Sequence, residues 1–132
     1  MGKRSTARRL AMQIMFQLSM GQSDAEFLLE QSAQSEKLIA ETVNFARELI
    51  AGTREHLPEI DKFISEKSIG WSIERITGVD RAILRLAIHE MRFLKTAPSI
   101  VINEAVELAK KFSTAESAKF VNGILGSLAD TV

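Results

Sequence analysis

Apolar residues recur every three or four positions along most of the chain, which is the spacing of one face of an α-helix. No strand-like alternation of useful length interrupts this pattern. The pattern therefore predicts an all-α fold, a compact bundle of about seven helices. The expected segments are 5–20, 24–33, 36–52, 58–67, a short turn at 72–77, 78–95, 100–112 and 115–129. The segments at 24–33 and 36–52 could instead form one bent helix.

Three short motifs mark expected helix starts. They are Ser23-x-x-Glu26, Ser113-x-x-Glu116 and the close variant Thr77-x-x-Asp80. In such a capping box a hydroxyl and a carboxylate satisfy backbone N–H groups that have no partner inside the helix. A capping role therefore explains the acidic residue of each motif.

The segment at 78–95 is apolar over most of its circumference, so we expect it at the centre of the fold. A narrow basic strip remains, formed by Arg81, Arg85, His89 and Arg92. The strip is either the floor of an anion site or a row of partners for nearby carboxylates. Glu90 falls in the apolar sector, where a carboxylate needs a partner. We predict a structural pair between Glu90 and an arginine or a helix N-terminus.

The first helix has apolar residues on two sides. Met12, Phe16 and Met20 point away from the core stripe, beside Arg9 and Gln13. Exposed apolar side chains of this kind mark a contact surface for protein or nucleic acid. The alternative is that a second layer of helices covers them.

The stretch KFVNGILG, residues 119–126, places an Asn-Gly turn dipeptide inside a helical pattern. We predict a continuous helix here, because apolar residues keep the helical spacing on both sides of the dipeptide. Each interior glycine costs about 1 kcal/mol of helix propensity relative to alanine. Gly123 and Gly126 would let a nucleotide, another backbone or a packed helix approach closely.

Length and composition describe an ordinary globular protein. The 132 residues suit a single domain spanning 1–132. The absence of cysteine excludes a disulfide framework, a thiolate nucleophile and a cysteine zinc site. No run approaches the ~20 apolar residues of a membrane span, so we expect a cytoplasmic protein without membrane contact.

Charge is distributed unevenly although the formal net charge is +0. Lys3, Arg4, Arg8 and Arg9 come before any acidic residue, so the first 23 residues carry a charge of +4. This basic arm, about residues 1–9, is typical of proteins that meet a polyanion. The alternative is a helix start that is simply solvated.

Catalytic and metal-binding motifs are missing from the sequence. His56 and His89 lie on separate elements, and no HExxH, GxSxG, GxxxxGK or GxGxxG motif occurs. We therefore expect no enzymatic activity, no cofactor and no metal site. An interaction module is favoured.

Three stretches together resemble one family. They are ARRLAMQIMFQ at 7–17, DRAILRLAIHEM at 80–91 and INEAVELAKKFSTAESAKFVNGIL at 102–125. They are similar to the NusB family of bacterial transcription antitermination proteins, over about residues 4–129. The resemblance implies a compact helical fold with two helical subdomains. It also implies binding of boxA-type single-stranded RNA from ribosomal RNA leader transcripts, together with the small-subunit ribosomal protein NusE, within the RNA polymerase elongation complex.

The resemblance also implies roles for individual residues. The implied RNA-binding residues are Lys3, Arg4, Arg8, Arg9, Glu116, Lys119 and Phe120. The implied contacts to NusE are Phe16, where the family commonly has tyrosine, and Asp80, at an acidic position of the family. A capping role explains Asp80 equally well.

Two other functions stay open at this point. The chain could be a stand-alone relative of the helical N-terminal domain of RNA cytosine methyltransferases, although no methyltransferase domain follows Val132. It could also be a helical oligomerisation module that uses Phe16 and Met12. Because family members include both monomers and dimers, a homodimer is compatible with RNA binding.

Overall fold

The computed structural model describes residues 2–68 and 72–131, so Met1 of the expected arm and the terminal Val132 lie outside the described residues. Within these residues the chain forms seven α-helices, one 3₁₀ turn and no strand. The helices are α1 (Lys3–Ser19), α2 (Ala25–Ser35), α3 (Ala40–Glu55), α4 (Leu57–Lys67), α5 (Gly78–Arg92), α6 (Pro98–Phe112) and α7 (Ala115–Ala129), with the 3₁₀ turn at Ile73–Arg75. The predicted all-α class is confirmed, and each predicted segment corresponds to one observed element. None of the described helices is both long enough and apolar enough to cross a membrane.

Helix α5 lies at the centre, as its apolar circumference predicted. Ten of its fifteen residues are buried, and α1, α3, α4, α6 and α7 all pack against it. Fully buried side chains from all seven helices form the core, among them Leu10, Leu29, Leu49, Ile64, Leu84, Ile88, Ala109 and Leu125. Burying one such side chain contributes about 1.5–3 kcal/mol. The core around α5 therefore ties the helices into one packed unit.

The directions of the helices decide which ends meet. An ion pair between Arg8 and Glu90 joins the start of α1 to the end of α5, and the last turns of α1 reach Gly78 at the start of α5. Helices α1 and α5 are therefore antiparallel. Helices α5 and α7 begin side by side, because Asp80 accepts a hydrogen bond from Ser117.

The basic strip of α5 is used inside the fold. Arg85 makes two hydrogen bonds of 2.8 Å to Asp61 on α4. Arg92 pairs with Glu59 at 3.1 Å, and Arg81 donates to a main-chain carbonyl of the 3₁₀ turn. These arginines are partners for carboxylates and carbonyls, so the strip does not form the floor of an anion site.

The alternative of one bent helix over 24–52 is wrong. Between α2 and α3, Lys37 has a φ of 54°, in the left-handed region that interrupts a right-handed helix. The chain then enters α3 through Ile39, whose backbone is extended. The two helices are therefore separate elements.

Two of the three predicted caps are displaced by one residue. Asp24 rather than Ser23 caps α2, and Thr114 rather than Ser113 caps α7. Aspartate, serine and threonine all make good caps, so residue type alone does not decide between neighbours. Thr77 caps α5 as predicted, its hydroxyl accepting a hydrogen bond from the backbone N–H three residues further on.

The second apolar side of α1 is only partly exposed. Met12 is 2% exposed, so its expected surface position is wrong, and a neighbouring layer covers it. Phe16 is half-buried, and Met20 is 69% exposed. The apolar surface of α1 is therefore limited to its last turns.

Candidate nucleic-acid interface

The expected basic arm is folded against the body of the protein. Lys3 pairs with Glu41 on α3 at 3.0 Å, and both side chains are mostly exposed. The guanidinium of Arg4 lies 4.4 Å from the ring centroid of Phe45, in a cation–π contact. Exposed ion pairs contribute about 0–1 kcal/mol, and exposed cation–π contacts contribute about as much. Lys3 and Arg4 can therefore exchange these partners for a polyanion at small cost.

Arg8 is occupied inside the protein. Its guanidinium donates to both carboxylate oxygens of Glu90, at 2.8 and 2.6 Å, and to Glu104 at 3.2 Å. The hydrogen bonds to Glu90 raise the pKa of Arg8, although burial opposes this shift. Arg8 is 8% exposed and Glu90 is 2% exposed. This position argues against the expected phosphate contact of Arg8, whereas the predicted pairing of Glu90 with an arginine is confirmed.

Arg9 is less exposed than Lys3 and Arg4 but more exposed than Arg8. It donates to Glu36 at 2.6 and 3.1 Å and to Gln13 at 2.9 Å. The hydrogen bonds from Arg9 lower the pKa of the Glu36 carboxyl. The side chain of Arg9 is 16% exposed and lines a surface cleft.

That first cleft, of about 300 Å³, lies between α1 and α6. Arg9, Lys110 and Lys111 line it, together with Glu107 and the ring of Phe112. Lys110 lies 3.6 Å from Glu107 in an exposed pair one turn apart on α6. Glu104 also lines the cleft, so its α6 side carries two carboxylates and two lysines, and the excess positive charge comes from Arg9 of α1. The amphipathic pattern of α6 did not predict this cluster of charges.

The second cleft, of about 420 Å³, adjoins the first, because Phe112 lines both. Its walls include Phe16 and Gln17 of α1 and Val79 of α5. A Cβ atom added at Gly78 would lie 2.8 Å from a ring carbon of Phe16. The absence of a side chain at position 78 therefore lets the Phe16 ring pack against the start of α5 while it still lines the cleft.

The third cleft, of about 260 Å³, lies where α5 and α7 begin. Its lining residues are Arg75, Ile76, Thr77, Asp80, Glu116, Ser117 and Phe120. Asp80 follows Val79 of the second cleft directly along the chain. Two residues predicted for different partners, Asp80 and Phe120, therefore share one cleft.

Asp80 does not act as the expected cap. Thr77 provides the capping hydroxyl, and Asp80 contributes only its backbone N–H. The carboxylate is 5% exposed, and its Oδ2 accepts a hydrogen bond of 2.7 Å from Ser117. Among the described residues, its Oδ1 has no hydrogen-bond partner.

Helix α7 continues through the Asn-Gly dipeptide, as predicted. Lys119 is exposed, and Phe120 is half-buried against the core. A Cβ atom added at Gly123 or Gly126 would have nothing within 4 Å, so the expectation of close helix packing at Gly123 is wrong. These glycines leave an open surface on α7 beside Lys119.

The predicted residues fall into two groups along α5. The arm lies near Glu90, whereas Phe16, Asp80, Glu116 and Phe120 lie near the other end. The ten residues from Asp80 to Glu90 correspond to about 15 Å of helix. The three clefts bridge this gap. Sequence reasoning missed Lys110, Lys111, Arg75 and Ser117, whose positions depend on how the helices pack.

The architecture defines the class first. The chain is an all-α protein built around one buried helix, with three open clefts at its surface. The chain belongs to the NusB family, whose pattern its residues 5–130 match. The transcription antitermination protein NusB of Desulforamulus reducens is 43% identical over 131 residues, which cover 98% of this chain and 91% of the relative. The resemblance seen in the three sequence stretches is thereby confirmed.

Solved structures share the fold over nearly the whole chain. NusB of T. maritima is 37% identical and superposes with a TM-score of 0.88, covering 96% of this chain and 90% of that one. A chain in the crystal structure of the antitermination factors NusB and NusE in complex with double-stranded RNA is 27% identical, with a TM-score of 0.90 and 98% of both chains covered.

Proposed function

We propose that this protein is a transcription antitermination factor that binds boxA-type RNA of ribosomal RNA leader transcripts as a heterodimer with ribosomal protein NusE. In this role it joins the RNA polymerase elongation complex. Membership of the NusB family supports the general role. The similar chain found in a complex with NusE and double-stranded RNA supports RNA and NusE as partners.

The observation that carries the proposal is the row of three clefts. The first and second clefts share Phe112, and the third cleft is lined by Asp80, the residue that follows Val79 of the second cleft in the sequence. RNA is assigned to the first cleft beside Arg9, to the third cleft at the start of α7 and to the open face of α7 that carries Lys119.

The chemistry changes along the row. Lys3 and Arg4 are proposed phosphate contacts, because their exposed pairs are weak. Arg9 is proposed as a third contact because it lines the first cleft. Lys119 is a further phosphate contact beside the open glycine surface of α7. Phe120 supplies an aromatic face for a base, and stacking on such a face is worth about 1–3 kcal/mol.

NusE is assigned to the second cleft and the exposed end of α1. This region combines the half-buried ring of Phe16 with the exposed side chain of Met20. Aromatic residues and methionine are enriched in protein interfaces, where lysine and glutamate are depleted. The second cleft has no lysine or glutamate among its lining residues.

Titration of a fluorescent 12-nucleotide boxA-type RNA, with and without NusE, tests the binding function. We expect tighter binding than to a scrambled RNA of the same length, and a further gain with NusE present. Phe16→Ala should weaken NusE binding, whereas Phe27→Ala, an exposed phenylalanine on α2, should not. Equal binding of boxA-type and scrambled RNA under all conditions would contradict the proposal.

A transcription assay tests the step beyond binding. RNA polymerase should read through a terminator more often on a template with a boxA-type leader when this protein and NusE are added. The same leader with boxA scrambled is the control. Unchanged read-through would mean that the protein does not act in antitermination, even if it binds the RNA.

A further inference from the structure

A fourth depression, the α2–α3 groove, lies between helices α2 and α3. Its volume is about 560 Å³, and it shares no lining residue with the first, second or third cleft. Leu29 and Ile50 form an apolar floor, at 1% and 4% exposed, and the exposed side chain of Ala51 stands beside them. The groove is therefore a surface separate from the three clefts assigned to RNA and NusE.

The charge of this part of the chain is opposite to that of the basic arm. Residues 24–67, which include α2, α3 and α4, hold ten acidic and five basic side chains, a net charge of −5. The arm at the start of the chain carries +4. A surface with excess negative charge repels a polyanion and attracts a cationic partner. Charge complementarity therefore argues for a basic protein segment in the groove and against RNA.

Carboxylates beside the groove are available to such a partner. Glu30 follows Glu26 by about one turn of α2, and Glu48 and Glu55 stand next to the two arginines that line the groove. Glu30, Glu48 and Glu55 are exposed, and none of the three forms an ion pair with another described residue. Cationic side chains of a partner can therefore bind them without first breaking a pair.

The shape of the groove suits a helix better than a small molecule. Four of its nine lining residues are charged, whereas small-molecule pockets are mostly apolar and enclose most of the ligand. Arg47 and Glu26 pair across it at 2.6 Å, but both side chains are about half exposed, so this pair is weak. Helix α2 has 11 residues, about 16 Å, which matches three turns of an incoming helix. Amphipathic helices commonly bind in grooves of this kind.

We propose that the α2–α3 groove docks a basic amphipathic helix of a protein in the RNA polymerase elongation complex. Its apolar side chains lie over Leu29, Ile50 and Ala51. Its lysine or arginine side chains pair with Glu30 and Glu48. The inference rests on the proposed function, in which the RNA-bound protein joins that complex, and the groove is a surface that the assigned RNA and NusE contacts leave open.

Charge reversal and filling of the groove test this contact in transcription. The full-length variants are added to an extract of the source bacterium from which the protein has been depleted with antibodies, on a template with a boxA-type leader. Glu30→Lys with Glu48→Lys places like charges against a basic partner, and Ala51→Trp blocks the floor. We expect each to lower the boxA-dependent read-through about fivefold or more. Purified variants should bind boxA-type RNA and NusE within about twofold of the parent at physiological salt, because distant charges are screened there.

Matched controls use exposed positions on α4 that line none of the four depressions. Glu66→Lys with Ser65→Lys adds a similar positive charge, and Ser65→Trp adds the same bulk. These controls should keep the read-through of the parent. All variants must first show the helicity and melting temperature of the parent within a few degrees.

Photocrosslinking identifies the occupant. Ala51→p-benzoylphenylalanine, irradiated in stalled elongation complexes on the boxA-type template, should attach to a protein segment with net positive charge and a helical spacing of apolar residues. The crosslink should disappear with boxA scrambled or with Glu30→Lys and Glu48→Lys present. The same photoreactive residue at Ser65 should give no such product.

Each result has a distinct reading. If the groove variants keep the read-through of the parent, or the crosslinked segment is acidic or belongs to a second copy of this chain, the docking site is overturned while the proposed function stands. The same holds if the variants lose read-through only because they bind RNA or NusE more weakly. If the parent protein binds neither boxA-type RNA nor NusE and gives no read-through, the proposed function fails and the docking site fails with it.

Discussion

At the scale of single residues, one buried histidine shapes its surroundings. His89 is 3% exposed, and its ring lies 5.7 Å from the rings of both His56 and Phe93, which stack on each other at 3.8 Å. A Cβ atom at Gly52 of α3 would lie 2.3 Å from Nε2 of His89. The ring therefore fills the space that a side chain at position 52 would need.

Gly52→Ala should destabilise the protein although alanine is the better helix former. Alanine gains about 1 kcal/mol of helix propensity, whereas overpacking a buried site costs about 1–3 kcal/mol, and this contact is unusually short. We expect a net loss of about 1–2 kcal/mol in urea unfolding. A variant as stable as the parent would mean that the His89 ring moves aside at no cost.

Acid should destabilise the fold through His89. Burial is the main cause that lowers the pKa of His89 below its ordinary value of 6.5, and His56 acts in the same direction, whereas Glu90 and Glu55 oppose it. As the pH falls below the unfolded pKa, the unfolded chain binds a proton that the folded chain does not. The free energy of unfolding should therefore fall below pH ~6.5, by at most about 1.4 kcal/mol per pH unit, and level off below the folded pKa.

Urea unfolding of the parent and of His89→Leu at pH 7.5, 6.5 and 5.5 measures this effect. Most carboxylates titrate below this window, at pH values near or below ~4.3. The leucine variant should lose most of the dependence between pH 6.5 and 5.5. The same slope in both proteins would assign the acid sensitivity to another group.

At the scale of elements, the ion pair of Arg8 with Glu90 joins α1 to α5 inside the core. Glu90→Ala leaves the guanidinium of Arg8 buried, with Glu104 as its one charged partner among the described residues. Removing one member of a buried ion pair lowers the free energy of unfolding by about 3–5 kcal/mol. We expect the melting temperature of Glu90→Ala to fall by about 10 °C or more. Glu41→Ala, which breaks an exposed pair, should change it by only a few degrees.

A double substitution separates the pair from its surroundings. Replacing a buried pair by apolar residues of similar volume is often neutral or stabilising. Arg8→Met with Glu90→Leu should therefore recover most of the stability that Glu90→Ala removes. If the double variant is as unstable as Glu90→Ala, the loss lies in the packing of Glu90 and not in an unpaired charge.

Two glycines, Gly123 and Gly126, lower the helix propensity of α7 and leave its surface open. Nothing lies within 4 Å of a Cβ atom at Gly123 or Gly126, so alanine fits both positions. Each substitution should stabilise the protein by about 1 kcal/mol or slightly less. Gly123→Ala with Gly126→Ala should nevertheless weaken boxA-type RNA binding, because the added methyl groups stand on the proposed path. Tighter binding by the more stable variant would remove α7 from that path.

The elements themselves could be predicted from the sequence with little loss. The helical spacing identified α1 to α7, because amphipathic periodicity reports which side of a helix is buried. The two wrong cap predictions arose because two neighbouring residues could each cap the helix. Asp24 follows Ser23, and Thr114 follows Ser113, and these side chains cap helices about equally well. The sequence left two alternatives between α2 and α3, a break or one bent helix, because no glycine or proline stands at Lys37, where the break occurs.

At the scale of the whole molecule, the site was harder to predict than the fold. The sequence shows that Arg8 is basic, but only the antiparallel packing of α1 on α5 places it beside Glu90. The same packing brings Lys110 and Lys111 to the edge of the first cleft. A residue type indicates possible chemistry, whereas the partner depends on contacts between residues far apart in the chain. The predicted pairing of Glu90 succeeded because burial alone demanded a partner.

Acidic side chains of the protein compete with RNA phosphates for the cations of the basic arm. Lys3 contacts Glu41, and Arg9 contacts Glu36, so a phosphate must displace a carboxylate at each position. The pair of Lys3 with Glu41 is mostly exposed, so its displacement costs little compared with the release of counterions from RNA. The pair of Arg9 with Glu36 is bidentate and Arg9 is 16% exposed, so its displacement costs more. The acidic partners should therefore reduce the affinity without abolishing it.

Salt dependence distinguishes the arm from the rest of the surface. Removing one cation that binds a phosphate should make the slope of log affinity against log salt shallower by about 0.7 for single-stranded RNA, so Lys3→Ala with Arg4→Ala should reduce it by about 1.4. Lys62→Ala, an exposed lysine on α4 that lines none of the three clefts, should leave the slope unchanged. Glu41→Gln should strengthen binding at low salt, because it removes the carboxylate that competes for Lys3. Arg8→Met with Glu90→Leu should leave the slope unchanged, since Arg8 is buried. A slope that falls as much for this pair as for Lys3→Ala with Arg4→Ala would mean that RNA draws Arg8 out of the core.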